Sequence, residues 1–121
     1  MDIIPVTAGR VAAVRTLFEE YWRSFGFTPC FQNFAAELAS LPGVYSPPDG
    51  RLALALASED PAGCIALRRF DGRRCEAKRL YVRPNLRGRG IGRALLEWAI
   101  AEARKIGYEE LLGDTLPLMD A

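Results

Sequence analysis

Apolar residues recur every third or fourth position from Val11 through Val14, Leu17, Phe18, Tyr21 and Trp22 to Phe25, the stripe of an amphipathic helix. Thr7 is placed to cap its start, and Gly26 with Thr28-Pro29 closes it. Asp2 to Val6 ahead of it reads as a short strand, and Phe31 to Leu41 as a second helix stopped by Pro42-Gly43. After a turn at Ser46-Pro47-Pro48-Asp49-Gly50, the pattern changes to strands. Arg51 to Ala57 alternates leucine with alanine, so both faces are expected to be buried. A turn over Ser58 to Gly63 leads into Cys64 to Phe70, and a tighter Asp71-Gly72 turn into Cys75 to Val82. A helix from about Arg89 to Ile106 follows, closed by Gly107, and Glu109 to Gly113 forms a last strand. The order is β-α-α-β-β-β-α-β, an α+β fold in which a meander feeds a βαβ unit.

With 121 residues, the chain is expected to form a single domain over 1–121. No apolar run approaches the roughly 18–20 residues of a membrane span, and the N-terminus lacks the basic and apolar regions of a signal peptide. Cys30, Cys64 and Cys75 form no C-x-x-C pair, so neither a disulfide framework nor a zinc site is expected. A reducing cytoplasm is the natural compartment, and the cysteines read as small buried hydrophobes. The chain has no histidine, which removes Ser-His-Asp and Cys-His chemistry, His-ligated metals and an imidazole base. No metal is expected.

Charge redraws the picture more than composition does. Between Arg68 and Arg93 lie ten basic residues (Arg68, Arg69, Arg73, Arg74, Lys78, Arg79, Arg83, Arg87, Arg89 and Arg93) and two acids, Asp71 and Glu76. That segment carries +8 and the remainder −7, a local field suited to a specific anionic ligand. The segment Val82-Arg83-Pro84-Asn85-Leu86-Arg87-Gly88-Arg89-Gly90-Ile91-Gly92-Arg93 joins a strand to a helix N-terminus, where backbone N–H groups are unpaired and the dipole is positive. Arginines there cost about 0.3–1 kcal/mol each, and helical glycines about 1 kcal/mol each against alanine. A phosphate ligand resolves the conflict: glycines admit its oxygens, free N–H groups donate to them, and arginines neutralise charge. The plainer alternative is a glycine-rich turn whose arginines extend into solvent. No G-x-x-x-x-G-K-[S/T] is present, and a G-x-G-x-x-G starting at Gly88 fails at Arg93. Glu109 and Glu110 do sit about 20 residues on, but the loop falls late in the chain, with room for one βαβ unit, so a dinucleotide fold is the weaker candidate.

Arg87-x-x-Gly90-x-Gly92, preceded by Lys78-Arg79-Leu80-Tyr81-Val82-Arg83-Pro84 and followed by Ala94-Leu95-Leu96, resembles the Q/R-x-x-G-x-G/A motif of the GNAT family of N-acetyltransferases. The order of elements agrees, so the resemblance covers essentially the whole chain. It implies a GNAT-like mixed sheet and an acetyl-CoA-dependent transfer of an acetyl group to a primary amine by direct attack. By that resemblance, the backbone of Arg87, Gly88, Arg89, Gly90, Ile91, Gly92 and Arg93 holds the pyrophosphate of coenzyme A. The strand edge at Leu80, Tyr81 and Val82 pairs with the pantetheine arm, and the Leu80 amide faces the thioester oxygen. Glu76, eleven residues before Arg87, stands where several members carry the general base. Its chemistry agrees: most amines are protonated near pH 7, and without histidine a carboxylate is the obvious proton acceptor. Simple alternation puts Glu76 on one face with Lys78, Leu80 and Val82. The bland alternative is a surface pair with Lys78 or Arg74.

The chain departs from the family after its last strand. Members usually continue into another helix and strand, and that helix often carries the tyrosine that protonates the leaving thiolate. Here no tyrosine follows Tyr108, so the general acid is absent or replaced by water. An unpaired last strand is a liability, so dimerisation through the C-terminal edge, or a longer parent protein, is expected. The acceptor is a small-molecule or peptide amine, with Phe27, Phe31 and Phe34 as possible lining, although core packing suits them better. Trp22, Phe25 and Trp98 read as core. Two rivals stay open: a non-catalytic member binding coenzyme A or a partner protein, and a nucleic-acid module using the basic run with Phe70 and Tyr81, the less favoured.

Overall fold

The computed structural model describes residues 1–24 and 34–113, with backbone alone at Ala8 and Phe34. Five strands, β1 (Asp2–Pro5), β2 (Arg51–Ala57), β3 (Asp60–Arg69), β4 (Arg74–Val82) and β5 (Glu110–Gly113), form one sheet in sequence order. The first four pair antiparallel and β5 runs parallel to β4, as a helical crossover between the two requires. Helices α1 (Val11–Arg23) and α2 (Phe34–Ser40) precede β2, and α3 (Ile91–Ile106) crosses from β4 to β5.

The alternation in β2 divides the core. Leu52, Leu54 and Leu56 join Val14, Leu17, Phe18, Tyr21 and Trp22 of α1 on one face. Ala53 and Ala55 leave room on the other, where Ile65, Ala77, Leu80 and Val82 meet Ile91, Leu95 and Ala99 of α3. Each large side chain so buried contributes about 1.5–3 kcal/mol. Cys64 sits in the α1 layer and Cys75 under α3 beside Ala103; both are free thiols with no exposure, and burial raises both thiol pKa values.

Three expectations shift. The β2–β3 connection is two residues, Ser58 and Glu59, both at positive φ (52° and 72°), not the six from Ser58 to Gly63. β3 therefore begins at Asp60, and Pro61 is accommodated because the register slips there: Ala55 faces Gly63 while Leu56 faces Pro61. At the start of α1, a 3-10 turn over Ala8–Arg10 intervenes, and Thr7 contributes its carbonyl to the Arg10 N–H at 2.9 Å; the N-cap is Arg10, without a side-chain cap. α3 begins at Ile91 rather than Arg89, because Gly88 and Gly90 both hold left-handed backbone at φ 82° and 80°. The Asp71-Gly72 turn and the Gly107 C-cap (φ 108°) are as expected. In that turn Asp71 accepts the Arg74 side chain and the Arg73 and Arg74 amides, which hold its carboxyl down at about 2. Phe25, Phe27, Cys30, Phe31 and the segment after Gly113 lie outside the described residues, as does the Phe34 side chain.

Candidate active site

β4 changes character at its middle. Ala66 faces Lys78 and Cys64 faces Tyr81, so two steps along β3 match three along β4, and Ile65 lies opposite the extra residue. The slip is a β-bulge centred on Arg79, a non-glycine residue at φ 58°. Such backbone costs about 1–2 kcal/mol and persists only where the surroundings fix it. Arg79 is fixed twice: Nε and Nη2 donate to the two oxygens of Glu37 on α2 at 2.9 and 2.8 Å, and its guanidinium lies over Tyr21 and Trp22 of α1.

The bulge corrects the alternation argument. Leu80 and Val82 point toward α3, whereas Glu76, Lys78 and Tyr81 lie on the α1–α2 side. Glu76 pairs with neither Lys78 nor Arg74; its Oε1 is 3.3 Å from Nε of Arg68, directly opposite on β3. Pairing of β4 with β5 ends at Ala77–Gly113. Among the described residues, no strand covers that edge of β4 from Lys78 to Val82.

Beyond β4, a 3-10 turn (Pro84–Leu86) delivers the chain to the left-handed pair Gly88 and Gly90. The first backbone bond closing α3 runs from Ala94 N–H to the Gly90 carbonyl at 3.0 Å, leaving the Ile91, Gly92 and Arg93 amides without an intrahelical acceptor. A Cβ at Gly88 or Gly90 would meet nothing within 4 Å, so these two are demanded by backbone angle, and their outer surface is open. Ile91 and Gly92 are buried against the sheet, so the helix end is fixed in place.

The charge of the basic segment is distributed unequally. Arg68, Arg69, Arg73, Arg74, Arg79 and Arg83 pair with Glu76, Asp49, Glu109, Asp71, Glu37 and Glu20 at 2.7–3.9 Å. Lys78, Arg87, Arg89 and Arg93 have no acidic partner among the described residues. Arg87 folds back, its Nε donating to the Val82 carbonyl at 2.9 Å and its guanidinium over the Tyr81 ring. Arg89 and Arg93 are exposed beside the glycines, with no hydrogen-bond or ion-pair partner among the described residues. The surplus of positive charge thus gathers at the loop and helix end.

Sequence reasoning placed the loop but missed the frame that steadies β4. Arg83 forks onto Glu20 of α1 at 3.1 and 2.8 Å and donates to the Pro61 carbonyl; the Tyr81 hydroxyl donates to the same glutamate at 3.3 Å. The available signal was the surplus of arginine on the strand against unmatched Glu20 and Glu37 on the helices. Tyr108 stands at the end of α3 and donates to the Asp49 carbonyl at 2.9 Å, away from the β4 edge.

A strand–glycine loop–helix with this sheet order defines an acetyltransferase architecture. The sequence model described as the acetyltransferase (GNAT) family matches residues 11–117, and this chain belongs to that family. It is 40% identical over 104 residues to an uncharacterised N-acetyltransferase of Schizosaccharomyces pombe, covering 84% of this chain and 64% of that protein. It is 38% identical over 105 residues to an IAA acetyltransferase of Azospirillum brasilense, covering 85% of this chain and 66% of the relative. The chain thus spans less than two thirds of the length of both relatives. In fold it is similar to a predicted acetyltransferase of Clostridium acetobutylicum solved with acetyl-CoA (TM-score 0.83, 13% identity, 98% of this chain and 83% of that one). It is also similar to an aminoglycoside N-acetyltransferase solved with CoA (TM-score 0.77, 18% identity, 97% and 78%).

Proposed function

We propose that this chain is an acetyl-CoA-dependent N-acetyltransferase acting on a primary amine. The observation that carries the reading is the open helix end: left-handed Gly88 and Gly90, unbonded amides at Ile91 to Arg93, and Arg89 and Arg93 without acids to neutralise them. Backbone donors and cations converging on one exposed spot fit a pyrophosphate. The relatives carry acetyltransferase names, and the fold neighbours were solved with acetyl-CoA or CoA.

Acetyl-CoA supplies the activated acetyl thioester. In this reading the loop Arg87 to Arg93 holds its pyrophosphate, and the uncovered edge of β4 from Leu80 through Tyr81 to Val82 guides the pantetheine arm. The Leu80 N–H donates to the carbonyl oxygen as charge develops on it. Glu76 accepts the proton that the attacking amine loses, directly or through a water. The new C–N bond replaces the C–S bond, and coenzyme A leaves as the thiolate.

Calorimetric titration with acetyl-CoA tests the cofactor site. The wild-type chain should bind in the micromolar range, and an Arg89→Ala/Arg93→Ala double variant about tenfold or more weakly, since both side chains are exposed and support nothing else. Absence of wild-type binding at millimolar ligand removes the reading. A second reading, a member that binds coenzyme A without turnover, is favoured by the Arg68 contact that occupies Glu76. Glu76→Gln separates the two: an enzyme should lose about 100-fold or more in kcat while its acetyl-CoA affinity holds.

A further inference from the structure

The acetyltransferase reading leaves the acceptor open, and the charges around Glu76 narrow it. On the α1–α2 side of β4 stand the acids Glu20, Glu37 and Glu76 and the bases Arg68, Lys78, Arg79 and Arg83, with Arg15 of α1 bonded to the Leu38 carbonyl of α2. Each acid already faces an arginine, and Lys78 has no acidic partner among the described residues. A polyamine or aminoglycoside, carrying several positive charges, meets a face whose described carboxylates are all taken and whose surplus is cationic.

Arg68 is the group with capacity to spare. Its Nε is buried and makes no hydrogen bond: Glu76 is within ion-pair distance, but the two are not aligned as donor and acceptor. With 41% of its side chain exposed, the guanidinium can take an anionic partner from solvent in addition to Glu76. Arg68 also lines an open cleft of about 390 Å³ between segment 43–49 and β3.

Resting on the acetyltransferase reading, we propose that the acceptor is a small amine bearing its own carboxylate, as in an amino acid, with that carboxylate on Arg68 and the amine at Glu76. Arg68 Nε and Glu76 Oε1 are 3.3 Å apart, so the two groups they receive must be close neighbours on one short skeleton. The cleft beyond Arg68 takes the remainder of the acceptor. The acceptor carboxylate also replaces Glu76 as the partner of Arg68, which leaves Glu76 to take the amine proton.

Thiol release from acetyl-CoA, followed across amino acids, their matched primary amides, a polyamine and an aminoglycoside, tests this on the wild-type chain. The carboxylates should exceed their amides in kcat/KM by about 10- to 100-fold, the worth of one charge-assisted contact. In Arg68→Gln that ratio should collapse towards one, carried by KM for the carboxylates, and Arg68→Lys should restore part of it. Equal turnover of acids and amides, or a preference for the polycations, overturns the inference while the acetyltransferase reading stands. Failure of the wild-type chain to bind acetyl-CoA by calorimetry removes both. Because the acid-to-amide comparison needs no variant, a misfolded Arg68→Gln does not decide it.

Discussion

Arg79 combines a backbone cost with a side-chain gain, and the two are separable by substitution. Alanine at this position keeps the left-handed strain and loses the fork onto Glu37, whose carboxylate is then left facing Tyr45 and the α1 rings. Glycine loses the same fork but takes φ 58° without steric penalty. With the two side chains only 13% and 23% exposed, Arg79→Ala should cost about 2–3 kcal/mol, somewhat less than a fully buried pair. Arg79→Gly should recover about 1 kcal/mol of that loss. Urea denaturation of both variants checks the order; alanine equal to or better than glycine would mean that the bulge relaxes once the ion pair is gone.

Among the elements, the close approach of β3, β4 and α3 is set by a glycine that reads in the sequence as part of a turn. Gly63 lies within β3 opposite Val82, and a Cβ there would sit 2.5 Å from the Tyr81 carbonyl oxygen and 3.2 Å from Leu95 Cδ1. Gly90, at the other end of the loop, has open space and needs only its angle. Gly63→Ala should therefore cost about 3 kcal/mol through forced displacement of β4, and Gly90→Ala about 1 kcal/mol through strain alone. Comparable urea midpoints for the two would show that β4 yields more easily than its packing implies. This contrast also marks what the sequence makes legible. Periodicity exposes α1, α3 and the Leu-Ala alternation of β2, because each repeats one physical rule over several residues. A one-residue slip such as the one at Arg79 has no such repetition. Its trace is a polar Lys78-Arg79 doublet followed by three apolar residues, Leu80, Tyr81 and Val82, which breaks the polar–apolar alternation of Arg74 to Lys78. The Ser58-Glu59 turn is hidden for a related reason, since neither residue is a usual bearer of positive φ and Pro61 imitates a strand breaker. The glycine loop is legible because it breaks helix rules in the sequence itself. The partners of Glu76, Arg79 and Arg83 are not, because they come from other strands and helices.

At the scale of the whole molecule, near-neutrality conceals a sorting of charge. The chain carries 16 bases and 15 acids, and Arg68 and Arg74 of the β3–β4 hairpin pair with its own Glu76 and Asp71, while Arg69 and Arg73 reach Asp49 and Glu109 outside it. Among the described residues, that arrangement leaves the α3 end as the cationic spot. Exposed Phe70 belongs to the same neutralised hairpin, stacked under Arg74 rather than presented among free cations. Among the described residues, no helix is long and apolar enough to cross a membrane.

The placement of two cysteines on opposite faces of the sheet makes them clocks for the opening of its two layers. Cys64 is sealed beneath α1 from the middle of β3, while Cys75 is sealed beneath α3 next to β5, a strand of four residues. Alkylation resolved by peptide mass spectrometry reads each thiol separately, and its rate reports how often that layer parts from the sheet. Cys75 should be modified faster than Cys64, because a strand of four residues, last in the sheet among the described residues, frays at lower cost than the centre of the sheet. Identical rates for the two would mean that both faces open only when the entire fold does.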